Sequence, residues 1–185
     1  MRKLSVFNQV SVDGYFVDGD GDMSWAHQQD AEWGAFVSAN ASGGGELVFG
    51  RITYEMMAAA WSTPEALLRN AVVAERMNSL PKVVFSSSLE QATWQNTRLV
   101  NGDIAAAVRR LKQEDGPNMV IMGSGSIVAQ LTQARLIDEY QIVVNALILG
   151  RGRTLFEGVS APVRLNLTQS RSFTNGNVVL WYQPA

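Results

Sequence analysis

A glycine turn, two sets of hydroxyls and a few carboxylates are the residues of this chain whose types and spacing could do chemistry. Gly123-Ser124-Gly125-Ser126 follows the apolar run 119–122 and precedes a helix-like pattern over 127–132, so it reads as a buried strand, a tight turn and a helix start. Such a junction aims backbone N–H groups from a positive helix end, and two missing Cβ atoms let a phosphate come close. The Rossmann fingerprint is not met, because Val128 stands where the third glycine belongs and the turn falls late in the chain. Taken alone, the motif fits an ordinary strand-to-helix turn better. Gly50-Arg51-Ile52-Thr53 makes a second such junction, with Arg51 and Thr53 available to an anion. Ser86-Ser87-Ser88 closes the apolar run 82–85, where hydroxyls either satisfy turn backbone or hold phosphate. Asp18, Asp20 and Asp22 alternate as in a calcium loop, but the pattern breaks at Met23 and lacks its closing Glu, so no metal is expected.

The elements that must position these groups follow from the hydropathy pattern. Residues 4–10 suit a first buried strand, and the Asp- and Gly-dense stretch after Ser11-Val-Asp-Gly14 resists regular structure. A helix is expected over 25–40, with Trp33, Phe36 and Val37 on one side and the glycines 43–45 as its stop. A strand over 46–49 leads into a helix through Ala60. Ser62 and Glu65 have the spacing of a capping box, and Leu67, Leu68, Ala71, Val72 and Met77 are expected to form the apolar face of the next helix. Strands over 82–85 and 94–100 precede a helix opened by Asp103, with Ile104, Val108 and Leu111 facing the core. After the 119–132 unit comes an apolar strand over 141–149. The tail differs: residues 163–168 alternate at period two, and Asn175-Gly176 separates them from a strand over 178–182, a hairpin signal. Strands alternating with helices imply an α/β sandwich, mostly parallel, with an antiparallel C-terminal hairpin. Ligands of such sheets bind beyond the carboxyl ends of the strands, where the polar junctions gather.

A chain of 185 residues suits one domain, here 1–185. A net charge of -2 with scattered Lys and Arg offers no footprint for nucleic acid. Without cysteine there is no thiolate nucleophile, disulfide or Cys-based metal site. Neither a signal peptide nor a membrane span is visible, so a soluble cytoplasmic protein without membrane partners is expected. The hairpin with Trp181 and Tyr182 suits either a homodimer contact or the core of one chain.

Together and in order, Ser11-Val-Asp-Gly14, Gly50-Arg-Ile-Thr-Tyr-Glu55, Val84-Phe-Ser-Ser87, Val120-Ile-Met-Gly-Ser-Gly125 and Leu136-Ile-Asp-Glu139 resemble the dihydrofolate reductase superfamily, closest to its riboflavin-biosynthesis-type reductase branch. The resemblance implies a dihydrofolate reductase-like three-layer sandwich and an NADPH site. It places Arg51 and Thr53 on the cofactor phosphates, with the planar fork of Arg51 suited to the 2′-phosphate. Ser86 and Ser87 fall beside the adenosine, and Gly123, Ser124, Gly125 and Ser126 at the pyrophosphate turn. Ser11, Asp13 and Gly14 come near the nicotinamide and substrate. Trp25, Asp30 and Trp33 reproduce the spacing around the acidic residue that holds the pterin in dihydrofolate reductases, making Asp30, with Asp13, a candidate catalytic carboxylate. The chain departs from the pattern where Ala26-His27-Gln28-Gln29 lacks the usual proline, where Ser124 replaces a second glycine, where Ser126 replaces an arginine, and at Val128. His27 is a second candidate proton donor, and Gly150-Arg-Gly-Arg153 suits an anionic substrate tail or a solvated loop. The implied activity is NADPH-dependent hydride transfer to a small pterin- or pyrimidine-like substrate. A ribosylaminopyrimidine reductase of riboflavin synthesis, or a non-catalytic nucleotide-binding or scaffold protein, stands beside it.

Overall fold

A computed structural model describes residues 1–27 and 30–185. Six strands run parallel: β1 (Leu4–Ser11), β3 (Glu46–Gly50), β4 (Lys82–Phe85), β5 (Thr97–Val100), β6 (Met119–Ile121) and β7 (Glu139–Asn145). Two more, β9 (Leu165–Ser172) and β10 (Val178–Pro184), complete an eight-stranded sheet in the order β5-β4-β3-β6-β1-β7-β10-β9. The last two are antiparallel, β10 to β7 and β9 to β10, as the Asn-Gly signal predicts. A two-stranded ribbon, β2 (Tyr15–Val17) with β8 (Arg153–Thr154), lies outside this sheet.

Alternation along the strands divides the core into layers. Val48 faces a cluster with Val108 and Leu111 of α4 (Ile104–Gln113) and Ile127, Val128 and Leu131 of α5 (Gly125–Gln133). Its neighbours Leu47 and Phe49 face the other way, toward Tyr54 of α2 (Arg51–Trp61) and Val73 and Met77 of α3 (Pro64–Ser79). Beside them, α1 (Ala31–Ser42) packs Trp33 and Phe36 against Val143, Phe173 and Val179. The α/β sandwich is therefore present, with its antiparallel end. No helix among the described residues is long and apolar enough to cross a membrane.

Several expectations are corrected. The helix expected over 25–40 is a 3-10 turn at Ser24–Ala26 followed by α1, which opens only after Asp30; Gln28 and Gln29 lie outside the described residues. The helix α3 is capped by Thr63, not Ser62. Its buried face is Ala66, Val73, Ala74 and Met77, while Leu67, Leu68 and Val72 are exposed. The buried residues Ala66, Val73 and Met77 share one face at i, i+7 and i+11, beside the stripe of Leu67, Leu68 and Val72; the helix is kinked at Asn70, φ -160 and ψ 93, whose carboxamide oxygen accepts from Val73 N at 3.1 Å and restarts it. Trp94 is buried but precedes β5. The strand expected over 141–149 ends at Asn145, and the polar stretch after Ser11 contains β2.

Candidate functional site

Because β3, β6 and β1 are parallel neighbours, the segments leaving their carboxyl ends meet at one edge. After β3, Gly50 leads directly into α2; after β6, Gly123 and Ser124 turn into α5. Gly123 has φ +89 and Ser124 φ +70, left-handed values that an L side chain rarely adopts. The two turns are joined through one side chain. Gly50 N donates to Ser124 Oγ at 2.7 Å, and Ser124 Oγ donates to Thr53 Oγ1 at 2.8 Å. A Cβ on Gly50 would lie 2.7 Å from Ser124 Oγ, and one on Gly123 would lie 3.0 Å from Thr53 Cγ2, so both glycines are needed for the approach.

Helix starts elsewhere are treated differently. Asp30, Thr63 and Asp103 cap α1, α3 and α4 with their own side chains, and Glu32 and Glu65 add negative charge to the first turns of α1 and α3. Neither α2 nor α5 has a capping side chain or an acidic first turn. Serine is a favoured cap, yet Ser124 spends its hydroxyl on the neighbouring turn. Two adjacent helix ends thus have no side-chain cap and an unopposed positive end, although Ile127 N already donates to Ser124 O, and such ends suit an anion with two phosphate groups. This arrangement fits a dinucleotide.

Arg51 opens α2 half-exposed and pairs with Glu55 one turn on, at 2.9 Å. Ser86, at the end of β4, accepts from the amides of Ser88 and Leu89 and so closes its own turn, while Ser87 is exposed. Ser126 is exposed on the first turn of α5. At the end of β1, the buried Ser11 hydroxyl both accepts from Tyr15 N and donates to Tyr15 O, and Gly14 is exposed. The exposed Asp13 carboxylate accepts from Leu149 N at 3.1 Å and Gly150 N at 2.7 Å. The nearby Ser11 hydroxyl, together with these amides, holds its pKa below the usual value against the opposing effect of burial. Arg151 and Arg153 are exposed on the next loop.

The candidate substrate residues are less concentrated. Asp30 is half-buried with one oxygen accepting from Trp33 N at 2.8 Å as the α1 cap, which leaves its second oxygen without a protein donor among the described residues. The Trp33 ring is 3% exposed and packs edge-on against Phe173 in the core rather than presenting a face. Trp25 lies in the 3-10 turn, its indole N–H donating to Asp22 O, and His27 is exposed.

Two features of this edge are absent from the expectations drawn from the sequence. The ribbon β2–β8 places Phe16 over the start of α5, so that a Cβ on Gly125 would meet its ring at 2.9 Å. Asn145 and Asn177 are fully buried with unpartnered carboxamide atoms; the pairing of Val144 with Val178 sets them side by side at the ends of β7 and β10. Polar residues inside strongly apolar strands were the available clue. A wide cavity of about 1200 Å³ lies at the opposite edge, beside Trp61, Asn78 and Trp94. There the Asn78 carboxamide is bonded to Trp61 O, Ala74 O and the Trp94 indole.

Known structures share this architecture. A protein of Shewanella sp. PV-4 provisionally assigned to riboflavin biosynthesis superposes with a TM-score of 0.76 at 22% identity, covering 99% of both chains. A Thermotoga maritima diaminohydroxyphosphoribosylaminopyrimidine deaminase/5-amino-6-(5-phosphoribosylamino)uracil reductase gives 0.71 at 15% identity, covering 100% of this chain and 57% of that one. Enterococcus faecalis dihydrofolate reductase, in complex with NADP(H) and RAB-propyl, gives 0.68 at 14% identity over 98% and 96% of the two chains. The sequence profile of the RibD C-terminal domain matches residues 2–179, nearly the whole chain, and the protein belongs to that family.

Proposed function

We propose that this protein is an NADPH-dependent reductase acting on a small pyrimidine- or pterin-like ring. The observation that carries the reading is the joined pair of uncapped helix starts, α2 and α5, bridged through Gly50, Thr53 and Ser124. Family membership and the dihydrofolate reductase-like fold support it. NADPH supplies the hydride when bound. The chain contributes amides from Gly123 to Ser126 and the Thr53 hydroxyl toward the pyrophosphate, and Arg51 toward the 2′-phosphate. The Arg51–Glu55 pair is an exposed i,i+4 contact of the kind worth only about 0.3–0.5 kcal/mol, so a phosphate can recruit the guanidinium at little cost. Asp30, through its second oxygen, holds a ring N–H of the substrate. A second reading, nucleotide binding without turnover, is favoured by one observation: Asp30 already serves as a helix cap and Trp33 as core.

A titration separates these readings. NADPH is expected to raise the melting temperature and change its own fluorescence on binding, and absence of both effects at saturating cofactor rejects the cofactor assignment. Arg51→Ala is expected to weaken NADPH about tenfold or more and NADH far less; equal losses contradict the 2′-phosphate role. Oxidation of NADPH across a panel of pterins and pyrimidines then distinguishes a reductase from a binding protein.

A further inference from the structure

Ser124 is an unusual residue for its place. It occupies a left-handed conformation, φ 70 and ψ 77, where glycine carries no steric cost, and its hydroxyl does not cap the helix it precedes. Among the described residues only two other non-glycine positions, Asn96 and Arg135, have positive φ. The side chain at position 124 therefore has a use that offsets the backbone strain.

Its hydrogen bonds define that use. The Gly50 amide can only donate, so it fixes Ser124 Oγ as an acceptor and leaves the serine proton to be placed elsewhere. That proton goes to Thr53 Oγ1. Thr53 is 9% exposed and has no other side-chain hydrogen bond among the described residues, so its own O–H has no protein acceptor. A donor series results, Gly50 N–H to Ser124 O–H to Thr53 O–H, whose last proton is unclaimed and lies at the uncapped start of α2. Hydroxyls in series polarise one another, and an anionic oxygen is the strongest acceptor such a series can meet. The whole unit is closed sterically: no Cβ is tolerated on Gly50 because Ser124 Oγ would lie 2.7 Å from it.

Resting on the cofactor reading above, we propose that Ser124 is a positioning residue that orients the Thr53 hydroxyl as a donor to a cofactor phosphate. Ser124 does not touch the cofactor with its hydroxyl; it acts through Thr53. The sequence departure from a second glycine at this turn is then a gain of orientation rather than a loss of fit.

The test is a double-mutant cycle read by NADPH affinity, with the melting temperature of the free protein measured in parallel. Ser124→Gly suits the backbone at φ 70 and is expected to fold, yet to lose about tenfold in NADPH affinity. Thr53→Val is expected to lose a similar factor, and Thr53→Ser, which keeps the hydroxyl, to recover most of it. Because the two hydroxyls act in series, the double variant Ser124→Gly/Thr53→Val is expected to be no weaker than Thr53→Val alone. Additive losses, or wild-type affinity in Ser124→Gly, overturn the proposal while leaving the cofactor reading intact. A wild-type protein that binds no NADPH overturns both. Loss of affinity in Ser124→Gly that merely tracks a fall in melting temperature, with no rescue by Thr53→Ser, assigns the tie to folding and also overturns the proposal.

Discussion

The two edges of the parallel sheet are built on opposite rules. At the amino-terminal edge charges are numerous and mutually satisfied. Buried Arg2 meets Glu46 at 2.5 Å and donates further to Pro117 O and Leu111 O. Lys112 reaches Asp138 at 2.6 Å, and the same carboxylate oxygen receives the amide of Leu4. Fully buried Lys82 donates to three carbonyls and lies over the Trp94 ring, although burial still pushes its pKa down to about 8. At the carboxyl-terminal edge two helix starts stay uncapped, and Asn145 and Asn177 have buried atoms without partners. One edge closes its own hydrogen bonds and locks the strands together; the other leaves donors open. The difference, rather than cavity size, is what singles out the candidate site, since the wide cavity belongs to the satisfied edge.

The sharpest way to test this division is to break one edge and read the other. Glu46→Ala leaves Arg2 buried without its carboxylate and is expected to cost about 3–5 kcal/mol of unfolding free energy, the usual penalty for orphaning one partner of a buried pair. Urea unfolding measures it. NADPH affinity of the remaining folded protein is expected to be unchanged, and a parallel loss of affinity would show that the edges are coupled. The converse variant gives the open edge what it lacks. Gly50→Asp brings a cap and a negative charge to α2, but its Cβ collides with Ser124 Oγ and its carboxylate takes the place proposed for a phosphate. An affinity loss of about a hundredfold or more, near 2.7 kcal/mol, is expected. Calorimetric titration that finds NADPH binding retained within about threefold would refute the assignment of this edge.

Much of this plan is legible in the sequence because each parallel strand is an apolar run that ends at a conspicuous polar junction. Gly50-Arg51, Ser86-Ser87 and Gly123-Ser124 mark the carboxyl ends before any coordinate is known, and Asn175-Gly176 marks the antiparallel turn. Contacts distant in the chain are not legible. Gly50 and Ser124 are 74 residues apart, and nothing near either one announces that the serine bonds the Gly50 amide instead of capping its own helix. The face of α3 has a different cause: Leu67, Leu68, Ala71 and Val72 form one apolar stripe and Ala66, Val73, Ala74 and Met77 another, and helical spacing alone does not say which of two apolar stripes meets the sheet. Asp30 shows a different limit. Its spacing from Trp25 and Trp33 fits a substrate carboxylate and also fits a helix cap, and the cap is the role whose partner is visible.

The gentlest probe of the open edge is pH. Asp13 holds the loop after β7 to the loop after β1 through the amides of Leu149 and Gly150, and its folded pKa lies below the ordinary value of 3.8. Folding therefore favours the ionised form, so the contribution is fully present above that ordinary value and is lost as the pH falls through the lower folded value. Because this carboxylate is exposed, the effect is expected on the loop rather than on global stability. The amide resonance of Gly150 should titrate with a midpoint below 3.8, and Asp13→Asn should flatten that curve. A midpoint at or above the ordinary value, or an unchanged curve in Asp13→Asn, would mean that the carboxyl edge is held by contacts other than this one. The amino-terminal edge offers a control within the same spectra: the Leu4 amide reports Asp138, which is tied to Lys112, and Asp13→Asn should leave it undisturbed.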